Sequence, residues 1–372
     1  MRVSRKSYEK LMSLGRKEEF WMKLAKERVH WFREPKTALR VRDEIFCDWF
    51  PDGETNMSYN CLDRQLATRG DQTAIAYESP VGGRSREITY SSLLKDVKSF
   101  AGSLQQIGVE KGDRVILYMP MIPEAAVAML ACTRIGAVHS VVFGGFASKE
   151  LASRIEAAEA KAVVCADFGL EGSSKIVPYT SNVVNAIEMC NHDVSNLVIF
   201  QRPEVSNQSE NIAISKKLNV YDFQKLLDDR SITCEDAVAL NANDPLYTIY
   251  TSGTTGDPKG ILRDHTHIVP LAYTMEKFYG MNPGDTFAAF SDIGWVVGHS
   301  YSVYGPLIHG CTSVMFEGKP VGTPDAATYW RVIEKYGVNS MFTAPTALRA
   351  IRKEDPLGKM VQDFDVSTLR SV

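Results

Sequence analysis

"DRVILYMPMIPEAAVAMLACTRIGAVHSVVF", residues 113–143, changes its apolar period twice, and that change decides the fold. "DRVILYM" has the β-branched, apolar character of a buried strand. "PEAAVAMLACTRIG" then reads as a helix, with Pro123 at its start and Gly136 at its end. "AVHSVVF" returns to strand. Beyond it, "SKELASRIEAAEA" (148–160) is a helix with Ser148 as its N-cap, and "KAVVCA" (161–166) is another strand. Strands separated by helices of this length imply βαβ units and a parallel sheet covered on both faces.

The alternation resumes after the polar stretch "QRPEVSNQSENIAISKK" (201–217), which reads as a surface excursion or a link between subdomains. "PLYTIYTS" (245–252), "TFAAFSD" (286–292), "TSVMFEG" (312–318) and "VNSMFTAP" (338–345) are strand patterns. The helix "DAATYWRVIEKYG" (325–337) separates the last two, with Asp325 as its cap. The expectation is an α/β protein of two doubly wound sheet-and-helix subdomains, 66–240 and 241–372. An aromatic, helical extension over 1–65 precedes them, marked by "EEFWMKLAKERVHWFREP".

Bulk properties bound the function. At 372 residues the chain exceeds one ordinary core, and 44% hydrophobic with 23% charged residues is typical of a soluble globular protein. A net charge of −3 gives no basic excess for nucleic acid or a membrane surface. The seven cysteines are scattered without a CxxC pair, as expected of free thiols in a reducing compartment. No stretch reads as a membrane span, because residues 115–147 are interrupted by Pro120, Pro123, Glu124, Arg134 and His139. The basic start "MRVSRKSYEKLMSLGRK" fits either a solvated helical face or a mitochondrial presequence, so an intracellular protein is expected, in cytosol or mitochondrial matrix.

The chemistry concentrates in "YTSGTTGDPKG" (250–260), directly after a strand. Glycines let backbone N–H groups turn toward an anion. Thr251, Ser252, Thr254 and Thr255 add hydroxyls, and Lys259 adds a point charge suited to phosphate oxygens. The spacing is not G-x-x-x-x-G-K-[ST], since Pro258 precedes Lys259 and a glycine follows it. A mobile surface turn is the competing reading, and the density of donors favours a polyphosphate. "DHTH" (264–267) superficially suggests a metal clip, but no third ligand stands at metal spacing, so it reads as a polar helix start.

This loop resembles the phosphate-loop signature of the adenylate-forming enzymes: acyl-CoA synthetases, luciferases and peptide-synthetase adenylation domains. "MSYNCLDRQ" (57–65), "VVFGGFA" (141–147), "SDIGWVVGHSYSVYGPL" (291–307) and "FTAPTALRAIRKED" (342–355) resemble the short-chain acyl-CoA synthetases. "EGKPVGTPDAATYW" (317–330) is closer to the propionate branch than to the acetate branch. The resemblance covers nearly the whole chain.

It implies an enzyme that joins propionate or acetate to ATP and passes the acyl group to CoA, with Mg²⁺ and the loop neutralising the leaving pyrophosphate. By similarity Thr251, Ser252, Gly253, Thr254, Thr255, Gly256 and Lys259 hold phosphate. Trp295, Val296 and Val297 wall the acyl pocket, with Gly294 and Gly298 allowing close backbone approach. Val297 stands where acetate-preferring relatives carry threonine. Trp295 as plain core is the alternative. His299 either polarises the carboxylate or is a satisfied core histidine. Phe143, Gly144 and Gly145 with Glu171, Gly172, Ser173, Ser174 and Lys175 are the implied CoA contacts. Relatives often place arginine in the second of these segments, whereas here Lys175 is the basic residue. Thr343 and Thr346 lie near the implied adenylate, although Thr346 also reads as a helix cap after Pro345. No protein side chain is assigned to a metal.

Relatives continue past the equivalent of "STLRSV" (367–372) with a Gly-Glu-Pro adenine turn, a ribose aspartate, a hinge and a C-terminal lid carrying the adenylation lysine. The chain is therefore expected to end inside the second unit, with lid and lysine absent. Besides the ligase, two readings stay open: a truncated isoform that binds nucleotide or pairs with a full-length subunit, and an adenylation domain that loads a carrier thiol.

Overall fold

A computed structural model describes residues 18–43, 46–172, 175–205, 217–252 and 258–372. Two sheets organise them. The larger runs in the order Asn219–Asp222, Asn196–Phe200, Ala162–Ala166, Arg114–Tyr118, Val138–Val141, Pro245–Ser252, Pro258–Asp264. All neighbours are parallel except the last pair, an antiparallel hairpin. The smaller sheet runs Ser340–Phe342, Thr286–Ala289, Thr312–Phe316, Thr73–Ser79, Arg84–Thr89, again parallel but for its final antiparallel edge strand.

Sheet membership does not follow the expected cut near position 241. The smaller sheet takes two strands from before it, Thr73–Ser79 and Arg84–Thr89, and the larger takes the phosphate-loop hairpin from after it. The reason is that strand partners are chosen by burial on two faces, whereas the sequence-based boundary rested on a polar excursion in the chain. The strand Pro258–Asp264 is also new: it stands between the loop and the helix Ile268–Lys277, which begins after a 3₁₀ turn capped by Asp264.

The opening stretch forms as its periods imply. Every residue of the helix Pro123–Ile135 is buried, as its all-round apolar sequence requires. Gly136 closes it at φ 78°, a left-handed conformation glycine adopts freely. Asn56 seals the same end, donating to the carbonyls of Thr133 (3.0 Å), Arg134 (3.2 Å) and Val238 (3.0 Å). The expected caps at Ser148, Asp325 and Thr346 lie one or two residues off. Ala147, Ala327 and Ala344 occupy the cap positions, and Pro345 is the first residue of its helix Pro345–Glu354.

The aromatic extension docks on the body through ring contacts. Phe20 and Trp21, on the helix Glu18–Arg28, meet Tyr273 at 5.6 and 6.1 Å, and Trp21 meets Trp49 at 5.8 Å. Among the described residues no helix is long and apolar enough to cross a membrane.

A buried ion pair ties the two sheets at their carboxyl ends. Arg202, just after the strand Asn196–Phe200, meets Glu317, just after Thr312–Phe316, in a bidentate pair of 2.6 and 2.9 Å. Tyr77 and Ser79 each donate to Glu317 at 2.7 Å, so the carboxylate is well satisfied. Burial opposes the Arg202 charge, and Glu317 outweighs it, raising the guanidinium's pKa. Replacing Glu317 with alanine would take the bidentate partner from a fully buried guanidinium and leave it Glu204, at 3.3 Å. Chemical denaturation of Glu317→Ala should show a loss of about 3–5 kcal/mol; a loss below 1 kcal/mol would show that the pair does not hold the sheets.

Candidate functional site

In parallel α/β sheets ligands bind beyond the carboxyl ends of the strands. Here those ends carry Thr251 and Lys259, the 143–145 turn and the 292–298 turn. The phosphate loop leaves the strand Pro245–Ser252, and its neighbour Val138–Val141 leads into Phe143, Gly144 and Gly145. Thr251 and Lys259 face each other across the hairpin, with the Thr251 hydroxyl 3.4 Å from the Lys259 carbonyl. Both are exposed. Gly253, Thr254, Thr255 and Gly256, and likewise Ser173 and Ser174, lie outside the described residues, as does the side chain of Ser252.

Tyrosines shape the turn at 143–145. The Tyr118 hydroxyl donates to the carbonyls of Gly144 (2.9 Å) and Phe146 (2.8 Å). A Cβ on Gly144 would lie 1.9 Å from the Tyr179 hydroxyl, and one on Gly169 would lie 2.5 Å from the same ring. Tyr179 thus brings the two expected CoA segments together, because Gly169 belongs to the strand Phe168–Glu171 that pairs with Lys175–Pro178. Gly172 supplies the positive φ of that hairpin's turn. Lys175 pairs with Glu171 at 2.9 Å in an exposed contact, so its charge is shared rather than free.

The turn at residues 292–298 packs backbone to backbone on this one. A Cβ on Gly294 would sit 2.8 Å from the Phe143 Cα, and one on Gly298 would sit 2.1 Å from the Asp292 carbonyl oxygen. Both glycines therefore do the work expected of them. Trp295 projects beside Phe143 with ring centroids 5.9 Å apart and remains 50% exposed, which removes the plain-core reading. Val296 is exposed and Val297 half-buried. The chain then continues through a π-helical segment, His299–Tyr304, a rare geometry that is frequent at functional sites.

His299 goes inward. It is fully buried, its Nδ1 lies 3.1 Å from the Trp295 carbonyl, and its ring lies 4.5 Å from Tyr247 and 5.6 Å from His139. Among the described residues Nε2 has no hydrogen-bond partner, so this is a core histidine only half satisfied. Burial pushes its pKa down to about 4.

A cavity of about 330 Å³ opens between the carboxyl ends of the two sheets. Met121, Ser291, Asp292, Lys319, Tyr329 and Thr346 contribute to its walls. Thr346 thus lies on it as a rim residue, and Thr343 immediately follows the strand Ser340–Phe342. Asp292 is pushed up to about 6 by burial, opposed by a hydrogen bond from the Gly294 N–H at 2.7 Å. Asp292, Lys319, Tyr118 and Tyr179 are site residues that sequence reasoning missed. Asp292 and Lys319 stand inside the quoted motifs, whereas the tyrosines carry no local signal. Among the described residues no group of three or more His, Cys, Asp or Glu side chains could hold a metal ion.

The fold and its site define an α/β protein of two mainly parallel sheets, with a cavity at the carboxyl ends of the smaller sheet's strands that Met121 of the larger sheet also lines. Residues 62–372 match the AMP-binding enzyme family, and 8–61 match the acetyl-coenzyme A synthetase N-terminus. The chain belongs to the AMP-binding enzyme family. It is 47% identical over 360 residues to an uncharacterised protein of Pseudomonas aeruginosa, covering 96% of this chain and 56% of that protein. It is 43% identical over 357 residues to the mitochondrial acyl-CoA synthetase short-chain family member 3 of Bos taurus, covering 95% and 51%. An acetoacetyl-CoA synthetase structure from Streptomyces lividans shares the fold, with a TM-score of 0.84 at 24% identity, over 95% of this chain and 52% of that one. The chain spans about half the length of the curated relatives it matches.

Burial drives His265, His267 and His299 each down to about 4, and His139 lower than its ordinary value as well. Below pH 6.5 the unfolded chain takes up protons that these folded histidines refuse. Stability should therefore fall between pH 6.5 and 4, by about 1.4 kcal/mol per pH unit for each proton. Urea midpoints at pH 7 and pH 5 check this; equal midpoints would contradict it.

Proposed function

We propose that this chain carries the adenylate-forming face of a short-chain acyl-CoA synthetase. The observation that supports it best is the adjacency of the 250–260 hairpin and the 143–145 turn at the carboxyl ends of neighbouring strands. On this reading the Thr251–Lys259 hairpin takes the β- and γ-phosphates of ATP, with Mg²⁺ arriving on the nucleotide. A carboxylate oxygen attacks the α-phosphorus, the bond to pyrophosphate breaks, and an acyl-adenylate forms. The CoA sulfur then attacks the acyl carbon as the bond to the AMP oxygen breaks, and the thiol proton leaves to solvent.

The chain's own residues supply binding and orientation. Trp295, beside Phe143, walls a short apolar acid, with Val296 and Val297 flanking it. Propionate is the acid we favour, on the likeness of residues 317–330 to the propionate branch. CoA follows the 143–145 turn and the hairpin 168–178. His299, neutral and buried, supports that wall through the Trp295 carbonyl rather than polarising the carboxylate.

The test is propionate-dependent ATP–pyrophosphate exchange. We expect exchange that favours propionate over acetate and falls about 10²–10³-fold in Lys259→Ala, the usual loss when one donor to developing charge is removed. Exchange unaffected by Lys259→Ala, or a folded chain that exchanges with no short-chain acid, would contradict the proposal.

A further inference from the structure

Asp292 joins the cavity to the turn that carries Trp295. Its side chain is on the cavity wall, and among the described residues its carboxylate accepts one hydrogen bond, from the Gly294 N–H at 2.7 Å. Its backbone carbonyl accepts from the Trp295 N–H at 3.0 Å. The same carbonyl is the atom that excludes a Cβ from Gly298, at 2.1 Å, and its Oδ1 lies 3.0 Å from where a Cβ on Gly294 would stand. The next residue, Ile293, is fully buried, and its N–H points to the Met121 sulfur at 3.2 Å. The turn is thus wound around Asp292 and pinned on both sides.

We propose that Asp292 is a positioning residue: its carboxylate, acting through Gly294, holds the 292–298 turn in the shape that presents Trp295 to Phe143. The importance of that presentation for the acid rests on the acyl-adenylate reading above; the positioning itself does not. An aspartate suits the task because an ionised carboxylate is a stronger acceptor for a backbone N–H than a neutral group. Protonation weakens the acceptor and loosens the turn, so Trp295 responds to pH through Asp292. The groups that face the carboxyl are few. Lys319 and Tyr329 share the cavity, Tyr179 feels the Asp292 charge from the helix Tyr179–Met189, and His299 lies on the same turn. Tyr179 and Tyr329 are raised above their ordinary range and His299 is lowered to about 4, which leaves Asp292, at about 6, to titrate near neutrality.

Trp295 fluorescence tests this without turnover. Subtracting the spectrum of Trp295→Phe isolates its signal from the other four tryptophans of the five in the chain. We expect that signal to shift to the red as the pH falls, with a midpoint near 6. Asp292→Asn keeps an acceptor for Gly294 and should hold the neutral-pH spectrum with no transition near 6. Asp292→Ala should be red-shifted at every pH. A transition near 6 that persists in Asp292→Asn, or an Asp292→Ala spectrum identical to the parent, would overturn the proposal. If Asp292→Ala does not fold, the Asp292→Asn titration decides alone. Exchange measured on the same samples separates the two readings: the expected fluorescence with no exchange sustains the positioning role and removes the acyl-adenylate reading.

Discussion

Two loops from different sheets meet so closely that Gly294 has no room for a Cβ against the Phe143 backbone, and Gly298 has none against Asp292 of its own turn. One loop leaves the strand Val138–Val141 of the larger sheet and the other leaves Thr286–Ala289 of the smaller. The Phe143–Gly294 contact holds the carboxyl ends of the two sheets close at that point. Arg202 and Glu317 fix the same spacing elsewhere along those ends, by charge rather than by close packing. The combination is informative. A backbone contact resists compression, and a buried bidentate pair resists separation, because unpairing it leaves a desolvated charge. The spacing of the two sheets' carboxyl ends is thus held from both directions.

Behind that front lies a core dense in histidine and tyrosine. His139, Tyr247, His299 and Tyr304 form ring contacts of 4.5–6.2 Å, and Tyr304 meets the His139 Nε2 at 2.9 Å. Among the described residues, His139 Nδ1 and His299 Nε2 find no partner. Buried unsatisfied polar atoms are destabilising, and they sit directly behind the π-helical segment that follows the Trp295 turn. Some stability is given up next to the site, as is common where geometry serves function.

Much of this was legible in the chain. The strand–helix–strand reading of 113–143 was correct because a fully buried helix and buried parallel strands leave mostly apolar runs, which Pro123 and Gly136 punctuate at the helix ends. The roles of Gly294 and Gly298 followed from glycine's small size beside a bulky residue. What the chain concealed was non-local. Nothing near residue 73 announces that it pairs with residues 312–316, so the two subdomains looked sequential when their strands are interleaved. Tyr179 and Gly144 are far apart in sequence, and only the fold shows that the tyrosine makes the glycine necessary. His299 drew notice as a possible catalyst because it stands in a distinctive motif, yet helical geometry turns its ring into the core. Asp292 drew none, because an aspartate before an apolar turn reads as an ordinary surface residue.

On the function proposed above, nucleotide and acid meet at the carboxyl ends of the two sheets, between the 250–260 hairpin and the 292–298 turn. Amide hydrogen exchange with and without the propyl ester of AMP, a stable mimic of the acyl-adenylate, measures this directly. The account predicts slowed exchange in three segments together, 143–145, 250–260 and 292–298, with the outer strand Asn219–Asp222 unchanged. Protection confined to other regions, or none at saturating ester, would contradict it.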